Sequence, residues 1–422
     1  MNQWIDVFYF QFLKMIRMLS KKNELKKAAE EVTEEENKKK TGYECPRCGR
    51  EIKPNKYDAE KEIVGIHFKL NIKRDAYFCR DCGCGFAPID EAFDLFEDHN
   101  ITKDMAEEMA YSGQNCLSFE KGAENIKRYL KVEVSESTVR IVAERIGQIT
   151  YEKDIERAKI TYAKPEESVP SVLEKDKKEG ILYNYADGSM INTVEKDENG
   201  STWHEMKLGL VYYDRNSIKR GDGKKIITEK EYVAHFGGVD VFKELMFDAS
   251  VRGGYGQIKE TVCLGDGAPW IWNMFDELFP DAVQILDHSH LKENVYKFSK
   301  YLYPDNESKM VIFAESVMDK IDNGKVDEVI NELPDVNELP QGVPNLKKYL
   351  INNRGRVNYP EYKEKGYHIG SGAVESGHKS VIQQRLKQAG MRWNRSGGQY
   401  IATLRAKSAS NQWDLVRENI AA

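Results

Sequence analysis

The sequence lacks a long apolar run. Of its 422 residues, 40% are hydrophobic and 31% are charged, and no stretch approaches the roughly 18 uninterrupted apolar residues of a membrane span. The N-terminal segment IDVFYFQFLKMIRML is apolar on one face but carries no signal-peptide cleavage pattern. We therefore expect a cytoplasmic chain with a helix over residues 1–40 and no membrane partner. The length suits about two or three domains.

Cysteine is scarce, and five of the seven cysteines cluster in two short motifs, CPRC and CRDCGC. Because no secretion signal precedes them, the two CxxC motifs favour zinc over disulfides. The four thiolates of a closed tetrahedral Zn²⁺ site would come from Cys45, Cys48, Cys79 and Cys82. Cys84 is an alternative to Cys82. Apolar residues near alternate positions of the intervening EIVGIHFKLNI predict the strands of a zinc ribbon over residues 43–88.

The chain also lacks an overall excess of positive charge, since its formal net charge is −6. Basic residues are concentrated instead in residues 345–407, which contain 13 Lys or Arg and 3 Asp or Glu. Such a one-sided basic segment is a better guide to nucleic-acid binding than the total charge. The candidates for DNA contact are Lys379, Arg385, Lys387, Arg392 and Arg395. Their interleaving with Trp393 suits phosphate contact and base stacking, although a solvated helix face with Trp393 in the core gives the same pattern.

Residues 89–160 are predicted to be helical and are a candidate DNA-binding region. Within them, SFEKGAENIKRYL and ESTVRIVAERIG predict two helices, with Ser135 as the N-cap of the second. A helix, a short turn and a capped helix outline a helix-turn-helix, in which Thr138 and Arg140 would contact DNA. Paired helices are equally common in proteins that bind no DNA, so the outline alone does not decide between the two.

From about residue 180 the pattern becomes strand-like. ILYNYADGSMINTV, WHEMKLGLVYYD and KKIITEKEYVAHF predict three strands joined by the hairpin turns KDENG and RGDG. Helical and strand-like segments then alternate through TVCLGD and AVQILD. Three antiparallel strands followed by this alternation is the order of an α/β, RNase H-like core. We predict such a core over residues 180–422, with a helical insertion at about 291–365.

Three acidic residues stand at the ends of elements of this predicted core. Asp187 ends or interrupts the first strand, Asp266 follows the fourth, and Glu375 opens the closing basic helix. Adjacent first and fourth strands would bring the two aspartates face to face, and the helix would bring Glu375 across. Such carboxylates suit two Mg²⁺ or Mn²⁺ ions, which activate water and stabilise the leaving oxygen in phosphodiester cleavage. Ordinary turn aspartates are the alternative, because Asp-Gly is a common turn dipeptide.

A further aspartate and a histidine follow the next strand, in LDHSH. Asp287 would end that strand near the carboxyl edge of the sheet, where α/β sites gather. His290 would then orient a metal-bound water or contact phosphate. A helix-capping aspartate beside a half-buried histidine explains the same two residues.

Three blocks of the sequence resemble a known family of enzymes. They are YADGSMINTV with WHEMKLG, then GDGAPWIWNMFDELFPDAVQILDHSH, then YHIGSGAVESGHKSVIQQRLKQAGMRWN. These blocks are similar to insertion-sequence transposases of the ISKra type, which are bacterial and archaeal DDE transposases related in their core to Mutator-like enzymes. The resemblance covers roughly residues 180–300 and 345–415.

The resemblance implies a DNA transposase that cuts and joins strands at insertion-sequence ends by two-metal-ion phosphoryl transfer. Asp187, Asp266 and Glu375 would be its metal-binding triad, and Asp287 with His290 would match an Asp-x-x-His element that often follows the second Asp. Its partners would be double-stranded DNA, as transposon ends and target, and further copies of the chain at the nucleoid. The alternative is a non-catalytic DNA-binding regulator derived from a transposase, which the ribbon, the paired helices and the basic segment would serve equally well.

Overall fold

The computed structural model describes residues 23–24, 27–28, 31, 42–97, 99–219, 225–336, 338–370 and 372–421. The helix predicted for residues 1–40 lies almost wholly outside the described residues, and the few positions within it that are described are helical. The RGDG turn also lies outside them. The chain divides into two compact units at Gly147, and the residues from Val416 onward belong to the first unit.

Short antiparallel strands open the described part of the first unit. They are β1 (Tyr43–Glu44), β2 (Glu51–Ile52), β3 (Lys56–Gly65), β4 (Phe68–Phe78) and β5 (Gly85–Phe86). β1 pairs with β2, while β3, β4 and β5 pair in a second sheet. The inward side chains form a small apolar core of Ile63, Phe68, Leu70, Ile72, Ala87 and Phe93. One-sided burial of this hairpin explains the alternating pattern that predicted it.

Three helices follow in chain order. They are α1 (Lys103–Asn115), α2 (Phe119–Leu130) and α3 (Glu136–Ala163). Ser118 and Ser135 cap α2 and α3, because their hydroxyls accept hydrogen bonds at 3.1 Å from the N–H groups of Lys121 and Thr138. The second helix of the predicted pair thus begins where expected. At 28 residues it is much longer than the segment ESTVRIVAERIG.

A mixed five-stranded sheet forms the centre of the second unit. The strands of this unit are, in chain order, β6 (Lys178–Asn192), β7 (Trp203–Tyr213), β8 (Ser217–Lys219), β9 (Lys225–Ile227), β10 (Glu231–His235), β11 (Ile258–Gly265) and β12 (Val283–Leu286). The sheet has the spatial order β10-β7-β6-β11-β12. Its β10, β7 and β6 are antiparallel, whereas β11 is parallel to β6 and to β12. The predicted combination of antiparallel strands with later helix-linked strands is therefore present in a mixed α/β unit.

The third predicted strand, KKIITEKEYVAHF, is wrong as a single element. It is divided into β9, which pairs with β8 in a separate hairpin, and β10, which joins the main sheet. The division falls at Thr228, whose N–H and hydroxyl both donate to the carbonyl oxygen of Asn216, at 2.8 and 3.0 Å. These hydrogen bonds close the small hairpin and turn the chain away before β10 begins.

Helices cover the sheet and follow it. They are α4 (Pro165–Ser168), α5 (Val239–Gly253), α6 (Pro269–Leu278), α7 (His288–Leu302), α8 (Glu307–Asp322), α9 (Val326–Glu332), α10 (Leu346–Asn352), α11 (Tyr359–Glu364), α12 (Gly372–Gly377), α13 (Gln384–Leu386), α14 (Arg395–Ala409) and, in the first unit from Val416, α15 (Trp413–Ala421). A π-helical turn, His378–Gln383, joins α12 to α13 without a break, and we call residues 372–386 the closing helix. None of the helices in the described part of the chain has the length and apolar character needed to cross a bilayer.

Buried ion pairs connect α5 to its neighbours. Asp248 is 2% exposed and accepts hydrogen bonds from Nε of Arg157 at 3.0 Å and from Nε of Arg252 at 3.1 Å. Arg252 also donates to the carboxylate of Glu231 on β10. Although burial raises it, the charges of Arg252 and Arg157 hold the pKa of Asp248 below its ordinary value. The carboxylate is therefore a central charge of this network.

We expect Asp248→Ala to lower the free energy of unfolding by about 3–5 kcal/mol, because it removes the counter-charge of two arginines in a buried network. The depressed pKa means that this stabilisation is present above the pKa of Asp in the unfolded chain. It is lost as the pH falls through the lower, folded-state pKa. Urea unfolding at a series of pH values measures both effects.

Asp281→Ala, at an exposed position, is the matched control and should change stability by no more than about 0.5 kcal/mol. An Asp248→Ala protein as stable as this control would show that the network contributes nothing.

Candidate active site and zinc cluster

Three aspartates lie where the parallel pairing of three neighbouring strands ends, at the carboxyl edge of that pairing. β6 and β11 pair up to Tyr185 and Leu264, and β12 continues the parallel arrangement on the far side of β11. Asp187 lies just beyond the last of these pairs, Asp266 directly follows β11, and Asp287 directly follows β12. The carboxyl ends of parallel strands share one edge of the sheet, where ligand sites of α/β proteins gather. The topology therefore brings the three aspartates together.

The three aspartates and His290 line one small cleft. The remaining walls are formed by Tyr185, Ala186, Leu264, Gly265 and Val374. Most of these wall residues are apolar or lack a side chain. Charge interactions inside such a cleft are stronger than in water, because the local dielectric constant is lower.

Asp187 does not occupy a turn, contrary to the ordinary interpretation of an Asp-Gly dipeptide. β6 continues through it to Asn192, and Asp187 lies opposite Leu208 of β7. A Cβ at Gly188 would lie 2.2 Å from Oε1 of Glu205, so a larger residue there would displace the Glu205 side chain. Because a strand residue has a fixed direction, the sheet itself orients the Asp187 carboxylate.

Asp266 lies in a tight loop, as an Asp-Gly dipeptide predicts. Its side chain accepts a hydrogen bond from the N–H of Ala268 at 2.8 Å, and its carbonyl oxygen accepts one from the hydroxyl of Tyr349 at 2.6 Å. Gly267 has φ = +100°, and a Cβ there would lie 2.5 Å from the Tyr349 ring. Burial raises the pKa of Asp266, and the negative charge of Asp187 raises it further, against the hydrogen bond from Ala268. Asp266 is therefore a half-buried carboxyl group close to a second carboxylate.

His290 places a positive charge among these carboxylates. Asp287 caps α7 by accepting a hydrogen bond from the backbone N–H of His290 at 2.7 Å, and Nδ1 of His290 lies 3.4 Å from the same oxygen. Interaction with Asp287 raises the pKa of His290 to about 9, with smaller effects of Asp187 and Asp266, although burial opposes it. The ring is thus mainly protonated at neutral pH. Asp287 is a capping residue, and a catalytic role for His290 stays a prediction.

Aromatic residues anchor the chain just before the closing helix. The ring of His368 stacks on Tyr183 at a centroid distance of 4.9 Å, and its Nδ1 lies 2.7 Å from the hydroxyl of Tyr212. Its backbone N–H donates to the Tyr183 hydroxyl at 3.0 Å. The carbonyl oxygen of Ile369 accepts a hydrogen bond from the N–H of His288 at 2.9 Å. These contacts fix the start of the closing helix against β6, β7 and α7.

Glu375 lies beside the cleft and is not among the residues that line it. The preceding residue, Val374, does line it, whereas Glu375 is exposed. Within the described ranges, the only group of three or more potential ligands whose atoms all lie within 4.8 Å of one another consists of cysteines. The structure therefore brings Asp187 and Asp266 to one cleft and leaves Glu375 outside its lining.

The closing helix carries a histidine to Asp187. Nε2 of His378 lies 2.9 Å from Oδ2 of Asp187, without the alignment of a hydrogen bond, and His378 is 5% exposed. This residue opens the π-helical turn, a feature that is frequent at functional sites. Sequence reasoning missed it. The available signal was its position three residues after Glu375, since residues at that spacing are neighbours on a helix surface.

Four of the residues predicted to contact DNA are exposed. They are Lys379, Lys387, Arg392 and Arg395. Nζ of Lys387 lies 3.3 Å from Oγ of Ser189, on the same strand as Asp187. This contact places a basic side chain close to the cleft.

Arg385 is buried, which corrects its predicted position on the surface. It is 1% exposed, and its guanidinium carbon lies 4.9 Å from the ring centroid of Trp393. Trp393 is itself 6% exposed, in agreement with the alternative in which Trp393 belongs to the core. A side chain in this position cannot reach phosphate while the closing helix remains packed, so Arg385 supports the fold.

Thr138 and Arg140 lie at the start of α3. The hydroxyl of Thr138 is 2.8 Å from that of Ser135 within the helix cap. NH1 of Arg140 lies 3.6 Å from Oε2 of Glu144 in a partly exposed pair. These contacts are typical of a solvated helix, and the role of both residues in DNA recognition stays a prediction.

Four cysteine sulfurs form a compact group in the first unit. They belong to Cys45, Cys48, Cys79 and Cys82, and all lie within 4.8 Å of one another. The closest pairs are 3.5 and 3.6 Å apart, near the about 3.8 Å expected for sulfurs about 2.3 Å from a tetrahedral zinc ion. Burial raises the pKa of Cys45 but the N–H groups of Arg47 and Cys48 lower it overall, whereas burial raises the pKa of Cys82, so the four thiols titrate as one interacting group. The group could hold a Zn²⁺ ion.

Two matching turns present these sulfurs. In each motif the glycine after the second cysteine donates its N–H to the carbonyl oxygen of the first cysteine at 2.8 Å. These glycines, Gly49 and Gly83, have φ of +72° and +69°, which residues with a Cβ adopt less readily. Cys84 lies outside the group, so the described geometry favours Cys82 as the fourth ligand.

The model of one protein family matches residues 55–418. The chain belongs to the uncharacterised protein family UPF0236. The part that matches the UPF0236 model contains the cleft, the closing helix and the second cysteine motif, while Cys45 and Cys48 precede it. Membership of UPF0236 by itself assigns no activity.

Other comparisons add little to this assignment. A solved structure described as the Drosophila P element transposase strand transfer complex is similar to this chain with a TM-score of 0.36 and 11% identity, over 78% of this chain and 98% of that chain. A TM-score this low is too weak to assign a fold. No curated protein matches the sequence.

We expect the purified protein to contain one zinc ion per chain and Cys48→Ser to lose it. Because ligation energy is folding energy in such modules, the substitution should loosen residues 43–88 first and leave the sheet of the second unit folded. Metal analysis and hydrogen exchange by region measure the two effects. Cys116→Ser, outside the cysteine group, should retain the metal. Wild-type protein that contains no zinc and has freely reactive thiols would refute the site.

We also expect Arg385→Ala to lower the free energy of unfolding by about 2 kcal/mol or more, because it removes a desolvated cation–π contact and the packing around it. Arg392→Ala, at an exposed position on the same segment, should cost no more than about 0.5 kcal/mol. Urea unfolding of the two variants makes the comparison. Equal stability of the two variants would show that Arg385 does not support the fold.

Proposed function

We propose that this protein is a DNA transposase with an RNase H-like core, which cuts and joins strands at the ends of an insertion sequence. The observation that carries the proposal is the convergence of Asp187 and Asp266 at the ends of adjacent parallel strands. The resemblance of the surrounding sequence blocks to ISKra-type transposases implies the same two residues as metal ligands.

The order of the strands supports the RNase H-like part of the proposal. Numbered from one to five in chain order, the strands of the sheet lie in the order 3-2-1-4-5, and the first three are antiparallel. An RNase H-like core has its first and fourth strands side by side, as β6 and β11 are. The residues between β12 and the closing helix are helical where they form regular elements, in agreement with a helical insertion.

The donor set of the cleft fits divalent cations. Mg²⁺ and Mn²⁺ prefer carboxylate oxygens, and the pKa of Asp266, which is raised by burial and further by the charge of Asp187, would be lowered again by a bound cation. Asp187 and Asp266 would hold the ions, with Glu375 as a further ligand. When bound, such ions activate water and stabilise the leaving oxygen in phosphodiester cleavage. Since Glu375 is exposed beside the cleft, the proposal requires its carboxylate to turn inward.

Two histidines would support this chemistry in different ways. His290 lines the cleft beside Asp287, so it is placed to donate a hydrogen bond to a phosphate oxygen. His378 is buried against Asp187 and would limit the movement of that carboxylate. Neither role requires the histidine to be a metal ligand.

Exposed basic residues would supply the contacts with double-stranded DNA. Lys379, Lys387, Arg392 and Arg395 belong to the closing helix or the segment after it. Contacts with phosphates position DNA but carry no sequence information, so recognition of the ends would need another element, for which Thr138 and Arg140 are candidates. The zinc cluster would stabilise its module without taking part in the chemistry. Pairing of two DNA ends would require more than one copy of the chain.

We expect Asp187→Asn, Asp266→Asn and Glu375→Gln each to reduce Mg²⁺- or Mn²⁺-dependent cleavage and joining of DNA by at least about a thousandfold, since the carboxylates act as a unit. Binding of DNA should survive each substitution. Asp305→Asn, an exposed aspartate in the loop after α7, is the control and should be fully active. Substantial strand transfer by any of the three variants would remove that residue from the site.

The exposed position of Glu375 favours a second candidate, a non-catalytic DNA-binding regulator derived from a transposase. That protein would bind DNA but leave it uncut in Mg²⁺ or Mn²⁺. Its three carboxylate variants would then behave like the wild type in every assay. If the wild-type protein cleaves DNA and this cleavage is lost when Asp187 or Asp266 is substituted, the protein is the enzyme and not the regulator.

A further inference from the structure

The β6–β7 hairpin extends past the edge of the sheet at which the cleft lies. β11 pairs with β6 only up to Tyr185, whereas β7 pairs with β6 as far as Asn192, opposite Trp203. At about 3.3 Å per residue, the five steps from Asp187 to Asn192 span about 16 Å. That is the length of about five steps along a stacked DNA strand. The end of the hairpin is therefore within reach of a strand held in the cleft.

Large apolar side chains are exposed on this extension. Met190 is 46% exposed, Val194 54% and Trp203 49%. Trp203 is the one tryptophan that is exposed in the described part of the chain; the others described are buried or half-buried. Met190 and Trp203, which lies opposite Asn192, share the face of the hairpin away from the Asp187 side chain. Since an exposed tryptophan stabilises the fold little, we take this group as a candidate binding surface.

The hairpin is a rigid support for this surface. Oδ1 of Asp197 accepts hydrogen bonds from the N–H groups of Asn199 and Ser201 at 2.9 and 2.8 Å. The hydroxyl of Thr193 lies 2.8 Å from Nδ1 of His204, across the hairpin. Because the turn is held by its own hydrogen bonds, the position of Trp203 is fixed before any ligand binds.

Basic residues border the extension on its other side. The N–H of Trp393 donates to the carbonyl oxygen of Asn192 at 3.1 Å, so the segment with Arg392 runs alongside the end of β6. Alternation of side chains puts Arg392 on the face opposite that of Trp393. Lys387 contacts Ser189 on the same stretch of β6, on the face that carries Asp187. Both basic residues are exposed and suit the phosphates of a bound strand.

One acidic residue on the face of Met190 is already paired, whereas Glu195, Asp197 and Glu198 are exposed in the turn of the hairpin. Glu205 lies opposite Met190, and its Oε2 is 2.6 Å from Nζ of Lys207, a lysine that is 6% exposed. The buried ammonium group of Lys207 therefore offsets the charge of Glu205. An aromatic surface with a basic border suits an unpaired nucleic-acid strand, whose bases stack on aromatic rings while its phosphates bind lysine and arginine.

We propose that Trp203 stacks on an unpaired base of the DNA strand whose backbone enters the cleft. The proposal rests on the proposed function, because it takes the cleft as the place where DNA is cut. It adds the substrate form: DNA that is single-stranded or frayed within about five nucleotides of the reacting phosphate. Stacking on an aromatic ring is tolerant of sequence, so Trp203 would hold the strand open without selecting its bases.

The test compares binding of two DNA probes to full-length protein in Ca²⁺. One probe is a duplex with a single-stranded tail of about ten thymidines, a length within the usual range of single-strand sites, and the other has an abasic tail of the same length. Trp203→Ala should weaken binding of the thymidine-tailed probe by about 5- to 100-fold, from the usual range for stacking on one aromatic residue. Trp203→Phe should retain most of the affinity. Both variants should bind the abasic probe like the wild type.

Ile218→Ala, a change at an apolar residue that is 60% exposed on β8 and outside this extension, should retain the affinity, and thermal unfolding checks that each variant is folded. Equal binding of the thymidine-tailed probe by Trp203→Ala and wild type would overturn the proposal, as would an equal loss on the abasic probe. Binding that depends on Trp203, with no cleavage in Mg²⁺ or Mn²⁺, would retain the stacking site and reject the enzyme. A wild-type protein that binds no DNA would reject both.

Discussion

The parallel pairing of β6 with β11 is the constraint on which the candidate site depends. It fixes two backbones about 5 Å apart and so holds Asp187 and Asp266 at one edge of the sheet, where their like charges repel each other. Neither aspartate can move away without breaking strand pairing or the loop that Tyr349 holds. His290 offsets part of this repulsion between the two aspartates. In the proposed enzyme, bound cations would offset it as well.

The closing helix is the second determinant of the site, and it is held from both ends. His368 fixes its start to the tyrosines of the sheet, while the cation–π contact of Arg385 with Trp393 fixes its end. The π-helical turn between these anchors starts at His378, which is packed against Asp187. Glu375, one turn earlier, is exposed.

The two units are stabilised by different means. The β3–β4 hairpin of the first unit rests on a small apolar core, and modules of this size commonly need a metal or disulfides in addition. The four-cysteine group supplies the ligands for such a metal. The second unit has a sheet whose central strand is buried on both faces and a network of buried ion pairs around Asp248. It can therefore maintain the carboxylate cleft, which costs stability, without help from a metal.

The sequence by itself determined the features that depend on neighbouring residues. The spacing within each CxxC motif predicted the cysteine group, and alternation or continuous apolar runs predicted β3, β4, β6 and β11, because side-chain period and ligand spacing are local properties. The aspartates at the ends of β6 and β11 could be named as a pair from strand order. Their role as metal ligands with Glu375, and the RNase H-like assignment of the core, remain predictions.

Only the tertiary structure decided features that depend on a partner distant in the chain. Arg385 looks like any surface arginine until Trp393 is packed against it, and His378 has no significance until the closing helix meets Asp187. The division of the third strand depends on Asn216, and the choice of Cys82 over Cys84 depends on how the two cysteine motifs face each other. A periodic pattern shows which side of an element is buried, but which residue it will touch is set by packing between segments that the sequence does not place next to each other.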